Sequence, residues 1–182
     1  MEQSKTPRHV SIDLETMGKT PECAIVSIGA VIFDPRYNVV TQDKFYTELN
    51  WQAQDRFLCP DTTAWWQRQS PKAKAALNGS EDLRDQLIDL AFWLPSDCKV
   101  WGNGATFDIS ILENAYRQHG LEVPWKFWNV RDMRTIKDMY ESSRGGLNRK
   151  SGGTLHNALD DANFQAESIT YMWKRLLTPT VK

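Results

Sequence analysis

Apolar and polar residues alternate from Val10 to Glu15, with Val10, Ile12 and Leu14 on one side and Ser11, Asp13 and Glu15 on the other, the period-two signature of a strand. Ala24 to Phe33 is almost continuously apolar and stops at Asp34-Pro35, which predicts a second, buried strand. A third strand is expected over Lys44 to Leu49, after a turn at Arg36-Tyr37-Asn38. Short turns between three successive strands predict an antiparallel meander. Residues 61–94 then read as helix in pieces. Thr62 or Thr63 is the expected cap of a short helix carrying Trp65 and Trp66, and Leu83, Leu87, Leu90, Ala91 and Leu94 form a helical stripe that ends at Pro95.

Lys99-Val100-Trp101 predicts a short strand before the Gly102-Asn103-Gly104 turn. The next helix is expected to start at a Thr106 cap, to bury Ile109, Leu112, Tyr116 and His119, and to stop at Gly120. Another is expected from Asp132 to Tyr140, and residues 141–153, with four glycines, predict a mobile loop. Ala162, Ala166, Ile169, Trp173 and Leu176 recur at helical spacing and predict a long C-terminal helix. Strands first, then strand and helix in alternation, predict an α/β fold: a mixed sheet, three antiparallel strands followed by parallel ones, flanked by helices.

At 182 residues, 41% hydrophobic and 25% charged, the chain has the size and composition of one globular domain, expected over 1–182 with a core over about 9–175. Three cysteines, Cys23, Cys59 and Cys98, fit neither a disulfide framework nor a zinc knuckle. With no apolar leader and no apolar run long enough to span a bilayer, a cytoplasmic protein is expected, without membrane contact. A net charge of −1 excludes a global basic field. Any contact with nucleic acid must therefore be local.

Asp13 and Glu15 share one face of a strand whose flanks are apolar. Two carboxylates about 6 Å apart repel by roughly 3 kcal/mol at an effective dielectric of about 20, a cost that a divalent cation would offset. Asp108 follows the Gly102–Gly104 turn, where a helix N-terminus alone would favour a carboxylate. His156 and Asp161 stand five apart, which on an unbroken helix means about 140° of rotation and ~7.5 Å of rise, so His156 belongs on the loop before the last helix if both serve one site. Asp160 is equally compatible with the spacing. Carboxylates from several elements without cysteine suit Mg²⁺ or Mn²⁺, and a histidine beside them suits proton transfer.

Asp13-Leu14-Glu15-Thr16, Phe107-Asp108 and His156-Asn157-Ala158-Leu159-Asp160-Asp161-Ala162, in this order, resemble the three motifs of the DEDDh 3′→5′ exonucleases of the ribonuclease H-like superfamily. The branch of stand-alone exonucleases that includes phage exonuclease A and ribonuclease AS is the most similar. The resemblance implies two divalent cations, Mg²⁺ or Mn²⁺. It implies that Asp13 bridges them, that Glu15 and Asp161 complete the first ion's shell, that Asp108 holds the second through water, and that His156 is the general base. In the wider superfamily an Asn usually stands four residues before the third acid, where this chain has Gly104, with Asn103 one position earlier.

A terminal nucleotide must be unstacked before it is removed, and Met17, Phe107 and Trp66 are the expected platforms. Between residues 126 and 151, Lys126, Arg131, Arg134, Lys137, Arg144, Arg149 and Lys150 outnumber Asp132, Asp138 and Glu141. Phosphates are expected to be gripped there, first by Arg149 and Lys150. The activity expected is release of nucleoside 5′-monophosphates from the 3′ ends of single-stranded DNA or RNA. A non-catalytic nucleic-acid-binding or scaffold domain of the same fold is the alternative, and a homodimer is the expected assembly, given the eight tryptophans.

Overall fold

In the computed structural model, which describes residues 8–147, 154 and 156–178, five strands form one sheet in the order β3-β2-β1-β4-β5. These are β1 (His9–Thr16), β2 (Ile25–Asp34), β3 (Val39–Glu48), β4 (Lys99–Gly102) and β5 (Val130–Asp132). The first three are antiparallel neighbours, while β4 runs parallel to β1 and β5 parallel to β4. This is the mixed sheet that the alternation predicts. Strand β3 begins at Val39, five residues before the predicted start, because its exposed first half pairs with β2 without burying an apolar face.

Among the described residues the α-helices are α1 (Pro60–Gln67), α2 (Leu83–Trp93), α3 (Asp108–Gln118), α4 (Met133–Arg144) and α5 (Ala158–Leu177). Val10, Ile12 and Leu14 of β1, with Ile28, Ala30 and Ile32 of β2, pack under α2 and α3. Val31 and Phe33 face the other way and join Trp101 against α4 and α5. The period-two alternation of β1 therefore aims Ser11, Asp13 and Glu15 at the α5 side.

Gly29 sets how closely α5 approaches. It pairs with Asp13 across the β1–β2 ladder, and a methyl group there would overlap the backbone of Ala158 and Leu159. The first turn of α5 thus rests on bare backbone, next to the strand that carries the acids.

Two predicted caps are displaced. Helix α1 starts at Pro60, whose fixed φ suits the first helical position, so Cys59 is its N-cap and Thr62 and Thr63 lie inside it. Helix α3 starts at Asp108 after Phe107, with no capping side chain at Thr106. Asp132 caps α4 by accepting from the Arg134 N–H at 2.7 Å, and the helix runs on to Arg144, so four residues assigned to the loop are helical. Cys23, Cys59 and Cys98 are free thiols. Among the described residues no helix is long and apolar enough to cross a membrane.

Candidate active site

Asp13 and Glu15 on β1 and Asp161 in the first turn of α5 bring one carboxylate oxygen each to within 4.8 Å of one another. Glu15 is buried and the other two are half-buried. Burial raises the Asp13 carboxyl well above its ordinary range, reinforced by the charges of Asp108, Glu15 and Asp161. Burial likewise pushes Glu15 up to about 8, with Asp161 and Asp108 adding to it. Asp161 is raised by burial, against the opposing pull of His156. Oxygen donors this close, each disfavoured as a lone anion, fit a hard divalent cation.

The fourth acid enters from the opposite side. The β1–β4 ladder ends at Ser11 and Trp101, and beyond it the Leu14 N–H finds the Asp108 carboxylate at 3.2 Å. Asp108 is 3% exposed, and burial raises its carboxyl to about 7 while the Leu14 N–H works against the shift. The Gly102–Ala105 turn that delivers it is tied to α4 by Asp132, which accepts from the Ala105 N–H at 2.5 Å.

His156 precedes α5 with φ of +61°, a left-handed turn that takes it off the helix path, as the five-residue spacing requires. Asn157 caps α5 by accepting from the Asp160 N–H at 3.0 Å, and its amide donates to the Tyr46 hydroxyl at 3.2 Å. Asp160 accepts from the Thr154 N–H at 2.7 Å, so of the two adjacent acids it is Asp160 that holds the loop and Asp161 that joins the cluster.

Gln165, one helical turn after Asp161, was not singled out from the sequence. Its amide donates to Asp13 at 2.6 Å and accepts from Ser11 at 3.3 Å, which fixes both the amide and the carboxylate. A glutamine in an amphipathic helix carries no signal of this in the chain itself.

A cavity of about 870 Å³ opens over the acids. Asp13, Glu15, Asp161 and His156 line it, together with Phe107, Trp65, Phe164 and Asn103. Phe107, one of the expected platforms, is among the lining residues. Two other expected platforms are not. Trp66 is 1% exposed and donates its indole N–H to the Thr16 carbonyl at 2.9 Å, and Met17, also 1% exposed, packs beside it. Adjacent helical residues diverge by about 100°, so burying Trp66 turns Trp65 to the cavity. There its ring meets that of His156 edge to face at 4.8 Å. Lys19 and Arg68 also line the cavity, are exposed, and form no ion pair among the described residues. Arg149 and Lys150 lie outside the described residues.

Residues 8–173 match the family described as the 3′-5′ exoribonuclease Rv2179c-like domain. An exodeoxyribonuclease of Enterobacteria phage T4 is 30% identical over 155 residues, covering 68% of each chain. Among solved structures, cell-death related nuclease 4 (CRN-4) superposes with a TM-score of 0.68 at 11% identity, over 92% of this chain, which spans 64% of that one. The nuclease domain of 3′hExo, a DEDDh family member bound to rAMP, superposes with a TM-score of 0.63 at 16% identity over 94% of both chains. These two likenesses establish the fold, and the family match establishes the kinship: the chain belongs to the 3′-5′ exoribonuclease Rv2179c-like family.

Proposed function

We propose that this 3′→5′ exonuclease is metal-dependent and removes nucleoside 5′-monophosphates one at a time from single-stranded nucleic acid. The closure of three carboxylate oxygens to within 4.8 Å, under a cavity lined by aromatic and basic side chains, is the observation that carries the reading. Asp13, Glu15 and Asp161 would hold one divalent cation, Mg²⁺ or Mn²⁺, with Asp13 shared and Asp108 serving a second. Bound ions of this kind activate water and stabilise the oxygen that leaves the phosphorus.

The chain's own groups supply the rest. His156, on the loop before α5 and at the cavity wall, accepts the proton of the attacking water. Trp65 and Phe107 flank the terminal base, and Lys19 and Arg68 meet backbone phosphates. The family description names an exoribonuclease and the phage relative is an exodeoxyribonuclease, so both polymers are candidate substrates. The rAMP held by 3′hExo is a nucleoside monophosphate, the class of product expected here.

The test uses 3′-labelled single strands of DNA and RNA of equal sequence, with Mg²⁺, with Mn²⁺ or with chelator, for the wild type and Asp13→Ala. Release of labelled mononucleotide that needs metal and vanishes in the variant is expected. Tight binding of both polymers without degradation would instead support a scaffold domain.

A further inference from the structure

Four of the five described members of the basic run between residues 126 and 151 already have partners for their side chains. Lys126 pairs with Asp97 at 3.2 Å, and Lys137 with Glu141 at 3.6 Å. Arg131 donates to the Trp128 and Val130 carbonyls, and Arg144 to the Arg175 and Thr178 carbonyls. Of the five described members, Arg134 alone has a guanidinium with neither an ion pair nor a hydrogen bond to the described residues.

Its position is not that of an idle surface arginine. Arg134 sits in the first turn of α4, where the helix dipole disfavours a cation. Asp132, two residues earlier, forms no ion pair with it: its carboxylate accepts instead from the Arg134 backbone N–H at 2.7 Å and from the Ala105 N–H at 2.5 Å. The guanidinium instead lies across Gly104. A Cβ at 104 would stand 3.1 Å from its central carbon and 3.3 Å from both terminal nitrogens. Gly104 also has φ of +106°, a backbone conformation that disfavours a side chain, and any Cβ there would push the guanidinium aside. The turn on which Arg134 rests is the one that leads into Asp108, and Asn103, next to Gly104, lines the cavity. Asp108 also feels the Arg134 charge.

We propose that Arg134 is a substrate-binding residue whose guanidinium, laid across Gly104, receives a backbone phosphate of the nucleic acid strand on the Asp108 side of the site. The planar fork offers paired donors to phosphate oxygens, and an arginine with no acceptor among the described residues keeps them available. The assignment rests on the exonuclease reading above. It adds a phosphate contact at the turn that leads into Asp108, separate from the aromatic wall formed by Trp65 and Phe107.

The experiment measures binding of a fluorescent oligo(dT) and an oligo(U) by anisotropy, with Mg²⁺, to Asp13→Asn alone and combined with Arg134→Gln or Arg134→Lys. Salt is varied between about 50 and 200 mM. Arg134→Gln is expected to weaken binding about tenfold at the lowest salt. It is also expected to lower the slope of log affinity against log salt by about 0.7, the share of one phosphate contact on a single strand. Arg134→Lys is expected to restore the slope. Unchanged slope and affinity in Arg134→Gln would overturn the assignment, as would an equal loss in both variants, which would mark a packing role. Absence of oligonucleotide binding by Asp13→Asn itself would overturn the underlying exonuclease reading, and is distinguished by appearing before Arg134 is touched.

Discussion

Replacing Glu15 by glutamine is expected to stabilise the metal-free protein at pH 8. The side chain keeps its shape and loses its charge, in a place where three carboxylate oxygens stand within 4.8 Å of one another. Each ionised pair at that separation repels by about 3 kcal/mol at an effective dielectric near 20. Linkage gives a similar figure. A folded pKa of about 8 against 4.5 when unfolded makes ionised Glu15 cost about 4 kcal/mol at pH 8. The sign follows from the upward shift: stability is complete below pH 4.5 and is lost as pH rises toward 8. For a protein of this size the difference is roughly 10 °C in unfolding midpoint. The assay is thermal unfolding of chelator-treated wild type and Glu15→Gln at pH 4 and pH 8. The variant should melt higher at pH 8 and alike at pH 4, and added Mg²⁺ should raise the wild type more than the variant. A variant no more stable than the wild type at pH 8, or one with the same gain at both pH values, would refute the claim that the carboxylates are held in mutual repulsion.

Three further outcomes follow from other residues of the fold. Trp65→Ala should lower kcat/KM about 10- to 100-fold, the worth of one base-stacking contact, with little change in melting; Trp66→Ala should instead cost about 3–5 kcal/mol of stability, and the reverse pattern would show that the wrong indole was placed in the cavity. Gly29→Ala should lift the first turn of α5 off the sheet, costing about 1–3 kcal/mol and more than tenfold in activity, because Asp161 and His156 move with that turn; a fully active variant would refute the close-approach role. His9, buried beside Trp101, whose indole N–H donates to its Nδ1 at 3.0 Å, is held down to about pH 4 chiefly by burial. Its folded pKa is depressed, so the stability it contributes above pH 6.5 should fall by about 3 kcal/mol as pH drops to 4. Melting curves of His9→Gln should lack that acid limb.

The residues differ in how plainly the chain announces them. Asp13 and Glu15 are legible because a strand has period two, and two acids on one face of an apolar strand conflict with burial unless something compensates. His156 is legible as a loop residue because helical geometry forbids sharing a site with Asp161 from one helix. Trp65 and Trp66 are not distinguishable by such reasoning. Which indole faces the cavity depends on the rotation of α1, and that is set by the bond from Trp66 to the Thr16 carbonyl, 50 residues away in sequence. Met17 follows the acids in sequence but turns inward, its N–H bonded to the Ala24 carbonyl. Lys19 and Arg68 are isolated cations with no local pattern, and only tertiary structure brings them to one wall. Conversely, the basic run is conspicuous in sequence, yet most of its described members hold helices and loops together. Gly104 is legible as a turn glycine, whereas the Arg134 guanidinium lying over it is visible only in the folded chain.

The central claim is that Asp13, Glu15 and Asp161 form the metal centre at which the terminal phosphodiester is cut. Its most direct test is titration of Mn²⁺, by calorimetry at pH 8, into the wild type and Asp161→Asn, followed on the same samples by release of mononucleotide from single-stranded 3′ ends. The wild type should bind the ion and release product. Asp161→Asn should bind it at least about tenfold more weakly, as expected for loss of one charged ligand, and release product correspondingly slowly. Identical binding and identical release in the two proteins would contradict the claim.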